Sequence, residues 1–129
     1  MIPGGKIFGA SSKYVQFVPA FEPKKNEVVI SKSLYSCYSS PQFARLMDNY
    51  KDRQVYVVGY NSIMCCLSTL VSAYHLGQKL YYVIDASWAK STERFSEQEN
   101  HRFAVDVIQA AGYAHCVTTA DLLAMRTAS

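Results

Sequence analysis

Residues 54–66 read QVYVVGYNSIMCC, and this stretch decides the fold class. Residues 54–59 form an almost continuous apolar run that ends in glycine, which is typical of a strand buried on both faces of a parallel sheet. A helical pattern of apolar residues follows over 62–75, and Gly77 is placed to end that helix in a left-handed conformation. A buried strand that turns directly into a helix is the repeating unit of an α/β domain.

The same alternation extends along the chain in both directions. Upstream, the β-branched run at 27–31 predicts a strand, and Ser40 and Pro41 predict the N-cap and first residue of a helix. Downstream, we expect a strand at 79–85, a polar loop at 86–96, a helix at 97–111 ended by Gly112, a strand at 115–118 and a helix capped by Thr119 that reaches Met125. The predicted fold is a three-layer, Rossmann-like α/β domain, in which helices cover both faces of a parallel sheet.

Length and composition fit a single packed domain. The chain has 129 residues, of which 50% are hydrophobic and 18% charged, so we interpret 1–129 as one domain with an irregular lead-in over 1–26 and an α/β core over 27–125. The net charge of +3 is spread along the chain, which disfavours a nucleic-acid-binding surface. No apolar run approaches the roughly 20 residues that a membrane helix needs, and no signal-peptide pattern is present. We therefore expect a cytosolic protein that binds neither nucleic acid nor membrane.

One of the four cysteines occupies a position that favours chemistry. Cys37, Cys65, Cys66 and Cys116 lack the spacing of a zinc site or a disulfide framework, so we predict free thiols and neither a metal nor a cofactor. Cys65 falls near the start of the helix that follows Gly59, where unpaired N–H groups and the helix dipole stabilise a thiolate and an oxyanion. The alternative is that Cys65 is a small buried hydrophobic residue, as most free cysteines are. Cys66 lies about 100° further round the helix and cannot face the same cleft.

Two charged residues follow predicted strands and are expected near Cys65. The carboxyl ends of parallel strands lie at one edge of a sheet, where ligands bind. Lys32 follows the run at 27–31, so its ammonium can stabilise a thiolate or an anionic intermediate there, with a solvated lysine as the alternative. Asp85 ends the strand at 79–85 and is expected to cap the following loop or its helix rather than to act as a base.

Several ordered motifs of the chain resemble those of the isochorismatase-like cysteine hydrolases. Residues 59–77 read G-x5-C-C-x6-A-x3-G, and an Asp-Ala pair at 85–86 follows the next predicted strand. Weaker similarities lie upstream and downstream, at 18–23, 29–38, 99–101 and 117–123. Together these motifs extend over about residues 15–125, and the resemblance implies the same α/β fold.

The resemblance implies roles for individual residues. Cys65 matches the nucleophile, Lys32 the catalytic lysine, and the N–H groups of Asn61 and Cys65 the oxyanion hole, with a cis peptide between Tyr60 and Asn61. Because the relatives that act on isochorismate lack this cysteine, the resemblance favours the branch that cleaves amide or carbamoyl C–N bonds of small molecules. Relatives commonly assemble as homo-oligomers. Candidates for a substrate pocket, each with simple packing as its alternative, are Tyr35, Tyr38, Tyr60 and Trp88.

One departure from the family pattern leaves the function open. The family has an upstream strand that ends in a catalytic Asp, whereas no Asp or Glu precedes Glu22 here, so the general base has no candidate in the expected place. The main hypothesis is a cysteine hydrolase that acts on a small-molecule amide or carbamoyl group. The alternative is a catalytically inactive remnant that serves as an oligomerisation or interaction module through its many aromatic residues. A nucleotide-binding domain is disfavoured because the turn after Val58 has a single glycine.

Overall fold

The computed structural model describes residues 16–127 and contains a parallel β-sheet with helices packed against it. In chain order, the elements are a 3-10 turn at Cys37–Ser39, α1 at Pro41–Asp48, β1 at Tyr56–Tyr60, a π-helical turn at Ser62–Cys66, α2 at Leu67–His75, β2 at Leu80–Trp88, α3 at Glu97–Ala111, β3 at Ala114–Val117 and α4 at Thr119–Thr127. The described strands pair in the order β1-β2-β3, and both pairs are parallel. The predicted α/β fold with a parallel sheet is confirmed.

One face of the sheet forms the core together with three helices. Leu80 and Tyr82 of β2 are buried in one cluster with Leu70 of α2 and Ile108 of α3, and Met47 brings α1 into the same cluster. Burial of a large apolar side chain contributes roughly 1.5–3 kcal/mol. This core fixes how α2 and α3 lie on the sheet, and therefore where the turns that precede them meet.

Local signals predicted several helix ends correctly. Ser40 caps α1 by accepting a hydrogen bond from a backbone N–H of the first turn, and Pro41 is the first helical residue. Gly77 and Gly112 follow α2 and α3 with φ angles of +80° and +69°, the left-handed conformation that glycine tolerates best. Among residues 16–127, no helix has the length and apolar character needed to cross a membrane.

The run at 27–31 does not form the predicted strand. Its backbone is irregular, and Val28 and Val29 are 61% and 54% exposed. A β-branched segment becomes a strand only where another strand supplies the ladder hydrogen bonds, and none of the described strands pairs with it. The predicted lead-in is irregular over 16–26, and its first part, 1–15, lies outside the described residues.

The apolar run at 54–59 predicted a strand that is buried on both faces. That prediction is wrong, because β1 is exposed on one face. Val58 and Tyr60 are 58% and 60% exposed, because β1 lies at one edge of the described sheet and its alternate side chains point away from the core. β2 is longer than predicted and ends at Trp88, so the polar loop begins at 89.

The cap of α4 also differs from the prediction. Thr118, rather than Thr119, accepts the N–H of Asp121 on its hydroxyl at 3.1 Å and donates its own N–H to the Asp121 carboxylate at 2.8 Å. Thr119 is instead the first residue of α4, and its backbone N–H and hydroxyl both donate to Asp85.

Candidate active site

A buried asparagine organises the turn between β1 and α2. Asn61 is 5% exposed, and its backbone carbonyl accepts the N–H groups of Met64 and Cys66, both at 3.1 Å. Its side-chain oxygen accepts the N–H of Ile63 at 3.3 Å and that of Lys90 at 3.4 Å, which ties the turn to the loop after β2. The peptide bond before Asn61 is cis, as the family resemblance implied.

The π-helical turn presents Cys65 to Lys32. Lys32 Nζ lies 3.5 Å from Cys65 Sγ and 2.9 Å from the backbone carbonyl oxygen of Leu34. Cys65 is half-buried, so its sulfur is not enclosed in the core. The two residues are 33 positions apart in the chain and come together even though Lys32 does not follow a strand. A cation beside sulfur stabilises the thiolate, which is the reactive form.

The neighbouring thiol is of a different kind. Cys66 is 4% exposed and belongs to the hydrophobic core cluster, which agrees with the prediction that it does not share a cleft with Cys65. Burial, with a smaller contribution from the adjacent Cys65, raises the pKa of Cys66 to about 11. Burial also raises the pKa of Cys116. These two thiols therefore stay protonated and weakly nucleophilic at neutral pH.

Asp85 has a structural role. The Thr119 hydroxyl donates to its carboxylate at 2.6 Å and the Thr119 N–H donates at 2.8 Å. Both hydrogen bonds lower the pKa of the Asp85 carboxyl, and the one from the hydroxyl contributes more. Asp85 is thus a cap, as expected, but it caps the start of α4 rather than the loop or helix that directly follows β2.

The predicted substrate-binding residues lie in different environments. Tyr38 is engaged in packing, because its ring meets the edge of Phe43 at 5.1 Å and its hydroxyl donates to Gln78 at 2.8 Å. Tyr35 and Tyr60 are exposed. Trp88 is 42% exposed and pairs in register with Tyr60, so both lie at the end of the sheet that carries the Cys65 turn.

A partly buried serine–histidine contact was not predicted from the sequence. Ser62 Oγ lies 2.6 Å from His101 Nδ1, and His101 Nε2 lies 2.8 Å from the Ile84 carbonyl oxygen. His101 was noted only within a weak family motif, and nothing in that motif indicates a partner 39 residues away. Residues 16–127 contain no group of three or more His, Cys, Asp and Glu side chains arranged to hold a metal ion.

Comparisons with known proteins identify the family and the fold. Residues 3–121 match the family model for the Isochorismatase domain, whereas a search of curated proteins gave no match. A protein from Chromobacterium violaceum ATCC 12472, described as a hydrolase of the isochorismatase family, is 20% identical with a TM-score of 0.82, over 95% of this chain and 66% of its own. A cysteine hydrolase from Pseudomonas syringae pv. phaseolicola 1448A is 20% identical with a TM-score of 0.75, over 88% and 55%.

A third solved structure is more similar in sequence and less similar in shape. It is a pyrazinamidase/nicotinamidase from Streptococcus mutans UA159, 31% identical with a TM-score of 0.55, over 67% of this chain and 44% of its own. The chain thus spans between 44% and 66% of the lengths of these three structures. The family model matches nearly the whole chain, from residue 3 to residue 121. The chain belongs to the isochorismatase domain family.

Proposed function

We propose that this domain is a cysteine hydrolase that cleaves an amide or carbamoyl C–N bond in a small molecule. The observation that carries the proposal is the 3.5 Å distance between Lys32 Nζ and Cys65 Sγ, in a turn that opens a helix. A cation at that distance favours the thiolate, which is the nucleophile of cysteine hydrolases. The names of two similar structures, a cysteine hydrolase and a pyrazinamidase/nicotinamidase, support the same chemistry.

The proposed reaction has two steps at the carbonyl carbon of the substrate. The Cys65 thiolate attacks that carbon, a C–S bond forms, and the N–H groups of Asn61 and Cys65 stabilise the negative oxygen. The C–N bond then breaks, and the nitrogen leaves as ammonia or an amine after taking a proton from solvent. Water next attacks the thioester, its oxygen forms the new C–O bond, its proton passes to solvent, and sulfur leaves as the thiolate.

The side chains near the turn suggest where a substrate binds. Tyr60 and Trp88 are paired at the carboxyl ends of two adjacent strands, next to Asn61, and both are partly open to solvent. Tyr35 follows Lys32 closely in the chain and is 59% exposed. We propose these three aromatic residues as substrate contacts, whereas the contacts of Tyr38 assign it to packing.

Release of ammonia from a panel of small amides and carbamoyl compounds tests the proposal. We expect turnover by the natural sequence, loss of turnover in Cys65→Ala, and a thioester adduct on the Cys65 peptide by mass spectrometry. Cys116→Ala is the matched control and should retain activity, since this thiol is protonated at neutral pH. Turnover that persists in Cys65→Ala would contradict the proposal.

We further propose that the domain self-associates and acts in the cytosol. The rings of Tyr56, Tyr81 and His115 contact one another across the three strands at 4.9 Å, and Val58 and Tyr60 extend this face outwards as exposed residues. Aromatic residues are enriched in protein interfaces, so a partly exposed aromatic face of this kind favours self-association. The four free thiols suit a reducing compartment.

One experiment tests both the proposed self-association and the alternative that the domain is an inactive interaction module. Light scattering should show a dimer or larger assembly that Val58→Glu dissociates, whereas Phe103→Glu, at an exposed apolar residue of α3, should not dissociate it. A stable assembly without hydrolysis of any amide would favour the interaction module over the hydrolase. A monomer at all concentrations would contradict self-association.

A further inference from the structure

An irregularity in β2 provides the first step of the argument. Residues 84–86 have no register partner on the described strands β1 and β3, although the residues on either side of them do. The Ser87 hydroxyl donates to the Val83 carbonyl at 2.9 Å across this bulge. Bulges redirect backbone groups, and here the Ile84 carbonyl is left to accept a hydrogen bond from His101 Nε2 at 2.8 Å.

That hydrogen bond fixes one nitrogen of the imidazole as a donor. A backbone carbonyl can only accept, so Nε2 carries the hydrogen of this contact. The other nitrogen, Nδ1, forms a hydrogen bond with the Ser62 hydroxyl, whose oxygen lies 2.6 Å away. Trp88 packs against the imidazole at a centroid distance of 5.1 Å. The ring is therefore held through both nitrogens and on one face.

Ser62 connects this imidazole to the candidate nucleophile. It is the first residue of the π-helical turn that carries Cys65, and its carbonyl accepts the N–H of Leu67 at the end of the same turn. A serine hydrogen-bonded to histidine is also the arrangement of a nucleophile with its base. Ser62, however, is completely buried, so no substrate reaches its oxygen, and the contact serves to hold the turn.

A second connection holds the same turn from the other side. Asn100, which precedes His101, donates to the Lys90 carbonyl at 2.9 Å, and the Lys90 N–H donates to the Asn61 side chain at 3.4 Å. The first turns of α3 therefore contact the Cys65 turn through two successive residues. Asn100 is itself buried, with 6% exposure.

We propose that His101 is a positioning residue, which through Ser62 fixes the conformation in which the turn presents Cys65 to Lys32. His101 touches neither the sulfur nor the ammonium in this role. The inference rests on the proposed function for its effect on turnover, whereas its effect on the reactivity of Cys65 holds whether or not the domain is a hydrolase. Loss of the link lets the turn relax and weakens the 3.5 Å contact between Nζ and Sγ.

The test compares the rate at which iodoacetamide modifies Cys65 with the rate at Cys116 of the same molecules. We expect His101→Phe and Ser62→Ala each to slow Cys65 by about tenfold, equivalent to about 1.4 kcal/mol, and to leave Cys116 unchanged. His101→Gln retains a donor and an acceptor and should recover much of the loss. His75→Phe is the matched control, because His75 is an exposed histidine of α2 that hydrogen-bonds only a carbonyl of its own helix among the described residues.

The double variant separates positioning from a general loss of stability. If His101 acts through Ser62, combining Ser62→Ala with His101→Phe slows Cys65 no further than either change alone, whereas independent effects add. Additive effects, or a His101→Phe variant as reactive as the natural sequence, overturn the proposal. If His101→Phe does not fold, His101→Leu, which also removes both ring nitrogens, takes its place in the cycle. If an amide substrate is turned over, His101→Phe and Ser62→Ala should lower kcat and leave KM constant. If the variants change the reactivity of Cys65 but no protein turns over a substrate, the proposed function is rejected and the positioning role of His101 stands.

Discussion

At the scale of single residues, the four cysteines have different surroundings, from which we expect different reactivities. Cys65 has an ammonium 3.5 Å from its sulfur, whereas Cys66 is buried and its pKa is raised to about 11. We predict that iodoacetamide at neutral pH modifies Cys65 well before Cys66 and Cys116. Lys32→Met should slow this reaction about tenfold, because it removes the ammonium that lies 3.5 Å from the sulfur.

Peptide mass spectrometry after timed labelling measures the four rates in one sample. Lys25→Met, at an exposed lysine of the irregular lead-in, is the matched control and should leave the Cys65 rate unchanged. Equal rates at all four cysteines, or no effect of Lys32→Met, would sink the assignment of Cys65 as an activated thiol.

Gly59, near the end of β1, has a backbone conformation that favours glycine. Its φ angle is +114°, and a Cβ built there meets nothing within 4 Å, so a side chain would be opposed by backbone strain rather than by space. We predict that Gly59→Ala lowers the free energy of unfolding by about 1–3 kcal/mol in urea denaturation. Gly77→Ala, also in open space but at a φ of +80°, is the comparison and should cost about 1–2 kcal/mol. A Gly59→Ala protein as stable as the natural sequence would contradict strain at this position.

At the scale of elements, the N-terminus of α3 is stabilised by a reciprocal cap. The Ser96 hydroxyl accepts the Glu99 N–H at 3.2 Å, and the Glu99 carboxylate accepts the Ser96 N–H at 2.9 Å. Ser96→Ala should destabilise the protein by about 1 kcal/mol, whereas Ser96→Asp, which retains an acceptor, should cost little. Thermal unfolding of the two variants checks this, and equal losses would show that the cap contributes nothing specific.

The elements that the sequence predicted well are those whose signals are local. Ser40 with Pro41 and the stop at Gly112 were found because caps depend on a few adjacent residues. The strand at 27–31 was wrong because pairing depends on a partner strand, which the run itself does not specify. The bulge in β2 depends on the register between two strands and leaves no local pattern.

The candidate site was predicted through family motifs more than through residue patterns. The spacing from Gly59 located Cys65 at a helix start, and the place of Lys32 after the run at 27–31 put it near that cysteine. The resemblance gave both residues a role and added Asn61, and the structure brings all three to the same turn. Tyr38 was named with packing as its alternative, because an aromatic residue near a site looks the same in sequence whether it packs or binds. The contact of Ser62 with His101 depends on how α3 returns to the sheet, so it emerges only from the tertiary structure.

At the scale of the whole molecule, burial in the core couples stability to alkaline pH. The pKa of Cys66 is raised from 9.0 to about 11, and that of Tyr82 is also raised, in both cases chiefly by burial. The folded state therefore keeps protons that the unfolded chain releases above about pH 9. Stability from this source is complete below the pKa of the unfolded thiol and is lost as pH rises through that of the folded one. We predict that the thermal midpoint falls steadily between about pH 9 and pH 11.

Cys66→Ala tests this coupling because it removes the buried thiol while keeping a small apolar side chain. The variant should lose some stability at neutral pH, but its midpoint should fall less steeply than that of the natural sequence above about pH 9. Cys37→Ala, at a half-buried thiol of the 3-10 turn, is the matched comparison and should follow the natural slope. Parallel slopes for all three proteins would show that the protons of the core thiol do not govern alkaline unfolding, and that Cys66 contributes to the fold only through its packing.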